Sequence, residues 1–263
     1  MVQIKSIVSL MNELASEQAA MDFDNCGLLV GKGSSIVKRI LLALDVTTEV
    51  INEAVNKDCQ MIITHHPLIF KAEKKITDET YQGDLLLKLI GSGISLYSLH
   101  TPLDATVGGC NDVLCSVFNV ANPIGIDYIA SVDGVQYYCG RVGDVDTTVD
   151  ALVNIAGDRL GSRDIRIING NRDVKKLAIC SGAGGSCIEH ALRAGADCFI
   201  TGELSYHDAL RIKEAGMSAI LCGHYQTEIP VINAVAEYLQ DRINVLKYDV
   251  DLVITDVKTD PFD

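Results

Sequence analysis

Met61-Ile62-Ile63-Thr64-His65-His66-Pro67-Leu68-Ile69-Phe70 is the stretch from which the fold is read. Met61-Ile62-Ile63 is a short apolar run of the kind that forms a buried strand. Pro67 has no N–H to give a ladder, so the strand stops there with two adjacent histidines at its end. Neighbouring side chains on a regular strand point to opposite faces. His65 and His66 therefore serve one site only if the chain leaves strand geometry at that point, or if the site holds two metals. The alternative is a hydrogen-bonded pair of structural histidines.

Working outward, Arg39–Val46 reads as a second buried strand. Thr47 or Thr48 can cap a helix running to about Lys57, with Glu49 in its first turn. Residues 3–15 carry apolar positions at helical spacing, and 21–31 form a loop leading into a short strand. Downstream, helix 79–91, strand 94–100 and helix 111–118 follow. Residues 119–136 are turn-rich and read as a boundary. The second series runs helix 147–157, strands 165–168 and 176–180, the turn Ser181–Ser186, helix 187–194, strand 198–201, helix 205–214 and strand 219–222. Helix 228–240 and strand 243–248 close the core, and the tail after Asp256 is expected to fray. Residues 42–66 and 179–203 share one strand–loop–helix–strand pattern at an offset of 137, with Ile51, Ala54, Ile63 and Thr64 recurring as Ile188, Ala191, Ile200 and Thr201. The fold expected is α/β: two similar three-layer domains with mainly parallel sheets and no large inserted domain. The domains are drawn at 1–128 plus 224–263, carrying most ligands, and at 129–223.

Composition narrows the function. The 263 residues carry a net charge of −13, which argues against a nucleic-acid partner. No apolar run reaches the roughly 20 residues that span a bilayer. Met1–Val8 lacks a charged region followed by a long apolar one, so no signal peptide and a cytoplasmic location are expected. Nine cysteines occur without a CxxC pair and several fall in strand-like runs. They read as buried reduced thiols rather than as disulfides or a thiolate zinc site.

Four strand ends carry ligand-type residues: His65-His66, His100 with Asp104, Glu203 with His207, and His224 with Glu228. The last pair has i, i+4 spacing, which places both on one face of a helical turn. Imidazole with carboxylate suits a divalent first-row metal. More than four such donors exceed a closed structural zinc site and point to two metals. Ser181-Gly182-Ala183-Gly184-Gly185-Ser186 precedes a helix and its amides could hold a phosphate, but it lacks the lysine and spacing of a P-loop, so it reads as a tight strand–helix turn rather than a phosphate site. Asp45 reads as a cap or turn residue that can also reach the cleft.

Asp24-Asn25-Cys26-Gly27-Leu28-Leu29-Val30-Gly31, Thr64-His65-His66-Pro67-Leu68, His100-Thr101-Pro102-Leu103-Asp104, Thr201-Gly202-Glu203 and Gly223-His224-Tyr225-Gln226-Thr227-Glu228 resemble, in this order, the GTP cyclohydrolase I type 2 family, also called the NGG-one-interacting-factor-three family. Phe23 departs from the tryptophan often found there. The resemblance implies a dinuclear centre of two divalent ions (Zn, Fe or Mn) held by His65, His66, Asp104, His224 and Glu228, in a toroidal homo-hexamer. It implies a metal-dependent hydrolase in which activated water attacks C8 of the guanine ring of GTP or another nucleotide. His100, Glu203 and His207 are the residues expected to carry protons. His100 can instead orient a ligand, and Glu203 can simply favour a helix N-terminus. Two other functions remain open: a dinuclear phosphoesterase, and a non-catalytic ring scaffold stabilised by its metals.

Overall fold

The computed structural model describes residues 1–170 and 172–262. It divides into two compact units, Met1–Leu103 with Ile232–Asp263, and Asp104–Val231. These divisions fall at 103/104 and 231/232, whereas the sequence boundaries were drawn at 128/129 and 223/224. Asp104, His224 and Glu228 therefore belong to the second unit.

In chain order the first unit contains β1 (Val2–Gln3), α1 (Ile4–Leu14), β2 (Gly27–Val30), β3 (Ile36–Val37), β4 (Arg39–Ala43), α2 (Thr48–Asn56), β5 (Met61–Thr64), α3 (Tyr81–Ser92) and β6 (Ser95–Ser98). α4 (His100–Ala105) carries the chain onward. Next come α5 (Cys110–Val117), β7 (Ala121–Val132), β8 (Val135–Thr148), α6 (Val149–Leu160), β9 (Arg166–Ile168), β10 (Asp173–Ala183), α7 (Ile188–Arg193), β11 (Cys198–Glu203), α8 (Tyr206–Glu214), β12 (Ser218–Leu221) and α9 (His224–Glu228). α10 (Pro230–Leu246) and β13 (Asp251–Ile254) end the chain.

The first unit's main sheet has the order β13-β4-β5-β6-β2, parallel except at β2. Strand alternation divides its side chains between two layers. Leu41, Ala43, Ile62 and Leu96 pack with Val50, Ile51 and Ala54 of α2 and Leu85, Leu86 and Leu89 of α3. The alternate residues Ile40, Leu42, Met61, Ile63 and Tyr97 are equally buried. On that side the Tyr97 hydroxyl donates to Glu17 at 3.0 Å, and Tyr238 of α10 donates to the Leu10 carbonyl of α1 at 3.2 Å. α2 starts where the threonines predicted it: Thr47 Oγ1 accepts from the Val50 N–H, with Glu49 in the first turn.

The second unit's sheet has the order β7-β8-β10-β11-β12-β9, with β10, β11 and β12 parallel and the flanking pairs antiparallel. Successive residues of β10 serve opposite layers. Leu177 and Ile179 join α5 and α6, while Ala178 and Cys180 join Ile188 and Ala191 of α7 and Ile212 of α8. Both units thus hold the βαβ arrangement suggested by the sequence echo, β4-α2-β5 and β10-α7-β11.

Two segments differ from expectation. Residues 119–136 are not a boundary: they enter a long hairpin closed by Asp133-Gly134, both at positive φ. That pair is the turn chemistry of a tight hairpin. The turn-like Asn122 and Asp127 sit at or beside register shifts within the ladder. Residues 243–248 are not the closing strand. Val235, Leu239 and Ile243 are buried at i, i+4 spacing and continue α10, and the strand is β13, paired parallel with β4. Among the described residues no helix is long and apolar enough to cross a membrane.

Candidate metal centre

β5 ends at Thr64, so His65 and His66 lie beyond strand geometry. The bend is held by hydroxyls: Thr64 Oγ1 and Ser98 Oγ both donate to the His66 carbonyl, at 2.8 and 3.2 Å. The next strand's end is tied to the same place, with the His100 N–H donating to the His65 carbonyl at 2.9 Å. As a result the two neighbouring rings converge. Ring centroids lie 4.8 Å apart for His65–His66, 5.5 Å for His65–His100 and 5.7 Å for His66–His100. His100 takes a left-handed backbone, φ +36°, a costly conformation for a non-glycine residue that is common at functional sites.

Carboxylates fix two of these rings. His66 Nδ1 lies 2.7 Å from Asp45 Oδ1, and Asp45 Oδ2 accepts from Thr259 Oγ1 at 2.7 Å. His100 Nδ1 lies 2.6 Å from Asp24 Oδ1, and Asp24 Oδ2 accepts from the Thr101 N–H and hydroxyl. A carboxylate only accepts, so the proton sits on Nδ1 in both rings and Nε2 becomes the ligand-type nitrogen. Burial acts to raise the Asp24 carboxyl, but the bonds from His100 and Thr101 outweigh it and hold it below the usual range. Phe70 stands edge-on to His100 at 5.9 Å, with Phe23 at 6.1 Å from Phe70. The phenylalanine at 23 therefore continues an aromatic wall beside these histidines.

In the second unit, Asp104 Oδ1 accepts from Ser181 Oγ at 3.2 Å. Asn111 braces the same turn, donating to the Asp104 carbonyl and accepting from the Ser181 N–H. On α9, His224 Nε2 lies 3.1 Å from Glu228 Oε1, and its Nδ1 lies 3.1 Å from Glu203 Oε1. Glu228 is 4% exposed. A neutral imidazole carries one N–H and cannot donate to carboxylates on both nitrogens. Three arrangements satisfy both contacts: an imidazolium ring, a protonated Glu228 that donates to Nε2, or a cation shared by Nε2 and Glu228 in place of that proton. The residues therefore fit a metal, with Glu203 in the position of the carboxylate that orients a metal-bound histidine.

The Ser181–Ser186 turn is a packing device. The Gly182 N–H donates to Thr227 Oγ1 and the Gly184 N–H to Thr201 Oγ1, so both amides are engaged within the protein. A Cβ on Gly182 would lie 2.1 Å from Glu228 Oε1, so glycine is what lets that carboxylate take its place. His207 is exposed on α8 beside Tyr206, ring centroids 5.5 Å apart. Asp24, with its direct bond to His100, is a residue that sequence reasoning passed over as a ligand-supporting group. Its place at the head of the Asp-Asn-Cys-Gly motif was the available signal.

A family profile described as Duf34/NIF3 (NGG1p interacting factor 3) matches residues 2–261. A Clostridium perfringens protein called "GTP cyclohydrolase 1 type 2 homolog" is 34% identical, covering 100% of this chain and 99% of its own. A Schizosaccharomyces pombe "Protein NIF3 homolog" is 31% identical, covering 96% and 94%. Among solved structures, a Staphylococcus aureus protein is similar with a TM-score of 0.90 at 28% identity, covering 100% and 99%.

Proposed function

The chain belongs to the Duf34/NIF3 (NGG1p interacting factor 3) family, and from that premise we propose that it is a metal-dependent hydrolase of the GTP cyclohydrolase 1 type 2 kind, opening the guanine ring of GTP or a related nucleotide. The observation that carries the reading is His224, whose two nitrogens both face carboxylates. The proposed ligands are His65, His66, Asp104, His224 and Glu228. Two divalent first-row ions, zinc, iron or manganese, would supply Lewis acidity there and make water nucleophilic near neutral pH.

The chain's own residues have separable roles. Asp45 and Glu203 are positioning residues, each holding the Nδ1 proton of a ligand histidine so that Nε2 faces the ion. His100 is proposed as the proton carrier, with Asp24 stabilising the imidazolium that forms when it accepts a proton. Phe70 and Phe23 offer apolar ring surface beside it, suited to the face of a purine. The proposed assembly is a toroidal homo-hexamer, which the solution mass tests.

Metal-loaded protein incubated with GTP is expected to release formate, and His65→Ala protein is expected not to. Formate no higher from the wild type than from His65→Ala ends the cyclohydrolase reading. Phosphate release in its place would move the assignment to phosphoester hydrolysis.

A further inference from the structure

The nine cysteines are reduced, and seven are buried. Three of them meet. The sulfurs of Cys139, Cys180 and Cys187 all lie within 4.8 Å of one another. They come from three separate elements: β8, β10 and the 3-10 turn (Gly184–Cys187) that leads into α7. Spacings of 41 and 7 residues hide this group from any sequence motif. It lies within the second unit, and no residue of the proposed hydrolytic centre takes part.

We propose that Cys139, Cys180 and Cys187 form a binding site for a thiophilic d10 cation, zinc(II) or copper(I). Metal–sulfur bonds of about 2.3 Å put the sulfurs of such a site about 4 Å apart, a spacing this trio reaches with sub-ångström adjustment. Soft thiolate donors select these ions over the harder ions that suit imidazole and carboxylate. The surroundings are those of a built pocket. Ile126, Val142, Ile188 and Phe199 pack around the trio. Gly140 leaves room behind it, since a Cβ there would lie 3.4 Å from Cys187 Sγ and 2.8 Å from the Ile179 carbonyl.

Polar groups border one side. Ser186 Oγ lies 3.9 Å from Cys139 Sγ, and Asp127 Oδ2 lies 4.0 Å from Cys187 Sγ. Asp127 Oδ1 lies in turn 3.6 Å from His190 Nε2. Zinc(II), which prefers four ligands, finds its fourth in Asp127 after a small movement, whereas copper(I) is satisfied by three sulfurs. Cys139 is only half-buried and Ser186 is exposed, which gives an ion a way in.

The Cys180 S–H lies 3.8 Å from the Cys139 carbonyl and 3.7 Å from the Ser181 carbonyl. Coordination takes thiolates, so the thiol protons of the trio pass to solvent as an ion binds.

The test uses the 263-residue chain, reduced and metal-free, under anaerobic conditions. Cobalt(II) is the probe for the zinc arm and copper(I), competed against a chromophoric chelator, for the other. The expected result is one equivalent of cobalt with sulfur-to-cobalt charge transfer in the near ultraviolet that zinc(II) abolishes, beyond any cobalt held by imidazole and carboxylate, or a stoichiometric copper(I) complex. Cys139→Ser is expected to lose the signal and weaken binding at least 100-fold. His65→Ala and Cys59→Ser should keep it, so failure here is distinct from failure of the hydrolytic site. Because Cys139 is half-buried, its variant is checked by circular dichroism, with Cys139→Ala as a second replacement. No thiolate signal with either ion overturns the proposal, as does a signal that survives in folded Cys139→Ser and Cys139→Ala.

Discussion

Gly182→Ala is the substitution whose outcome the structure specifies most fully. Gly182 has φ +58°, and a Cβ placed there would meet Glu228 Oε1 at 2.1 Å and His224 Nε2 at 3.2 Å. Gly161, in the same unit, has φ +68° and nothing within 4 Å of its would-be Cβ. Gly161→Ala therefore measures the left-handed backbone alone, about 1–2 kcal/mol for a residue with a Cβ. Gly182→Ala carries that penalty plus the overpacking of a buried carboxylate that must retreat roughly 1 Å, a further ~1–3 kcal/mol. Urea unfolding of the two variants, at unchanged m value, reads the difference directly. The displaced Glu228 should also bind metal more weakly, by about 10–100-fold in manganese(II) affinity. Equal stability of the two variants, with Gly182→Ala binding manganese(II) like the wild type, would refute the placement of Glu228 against this turn and its role as a ligand.

Asp45→Asn keeps the shape but weakens the hold on the His66 Nδ1 proton, and isothermal titration should show manganese(II) affinity down about 10–100-fold with circular dichroism unchanged. Asp112→Ala strands Arg141, which is buried and whose other bonds among the described residues go to carbonyls; denaturant unfolding should show a loss of about 3–5 kcal/mol. Burial acts to raise the Glu53 carboxyl, but bonds from the Asp256 N–H, Lys57 and Thr255 hold it below its ordinary 4.5. A depressed folded value stabilises above the unfolded one and is lost as pH falls through the folded one. Wild-type stability should accordingly fall more steeply than that of Glu53→Gln between about pH 5 and pH 3, in parallel denaturant melts.

Much of this was legible because the signals were local. An apolar run followed by Pro67, and a cap such as Thr47, depend on a few neighbouring residues, and the strand and helix they predict are present. The clustering of histidines at strand ends was equally readable. What the residues alone could not say was how His65 and His66 share one side. That depends on hydroxyls of Thr64 and Ser98 drawing the His66 carbonyl out of the ladder. Glu203 read as an acid or a helix-terminal charge, and only its approach to His224 Nδ1 gives it an orienting position. The hairpin over 121–148 was missed because glycine, proline and asparagine at its bulges resemble a linker. The end of α10 was missed because Ile243-Asn244-Val245-Leu246 is apolar enough for a strand, and helical spacing shows only when Val235 and Leu239 are counted with it. The thiol trio had no local signal, since its members sit on different elements.

Imidazoles and carboxylates from distant parts of the chain are proposed to hold the divalent ions. The most direct test is the manganese content of loaded, desalted protein, an ion that avoids thiolates and so reports on this set alone. Roughly two manganese ions per chain are expected in the wild type, with a loss of at least one in both His65→Ala and His224→Ala. Full manganese content in both variants would contradict it.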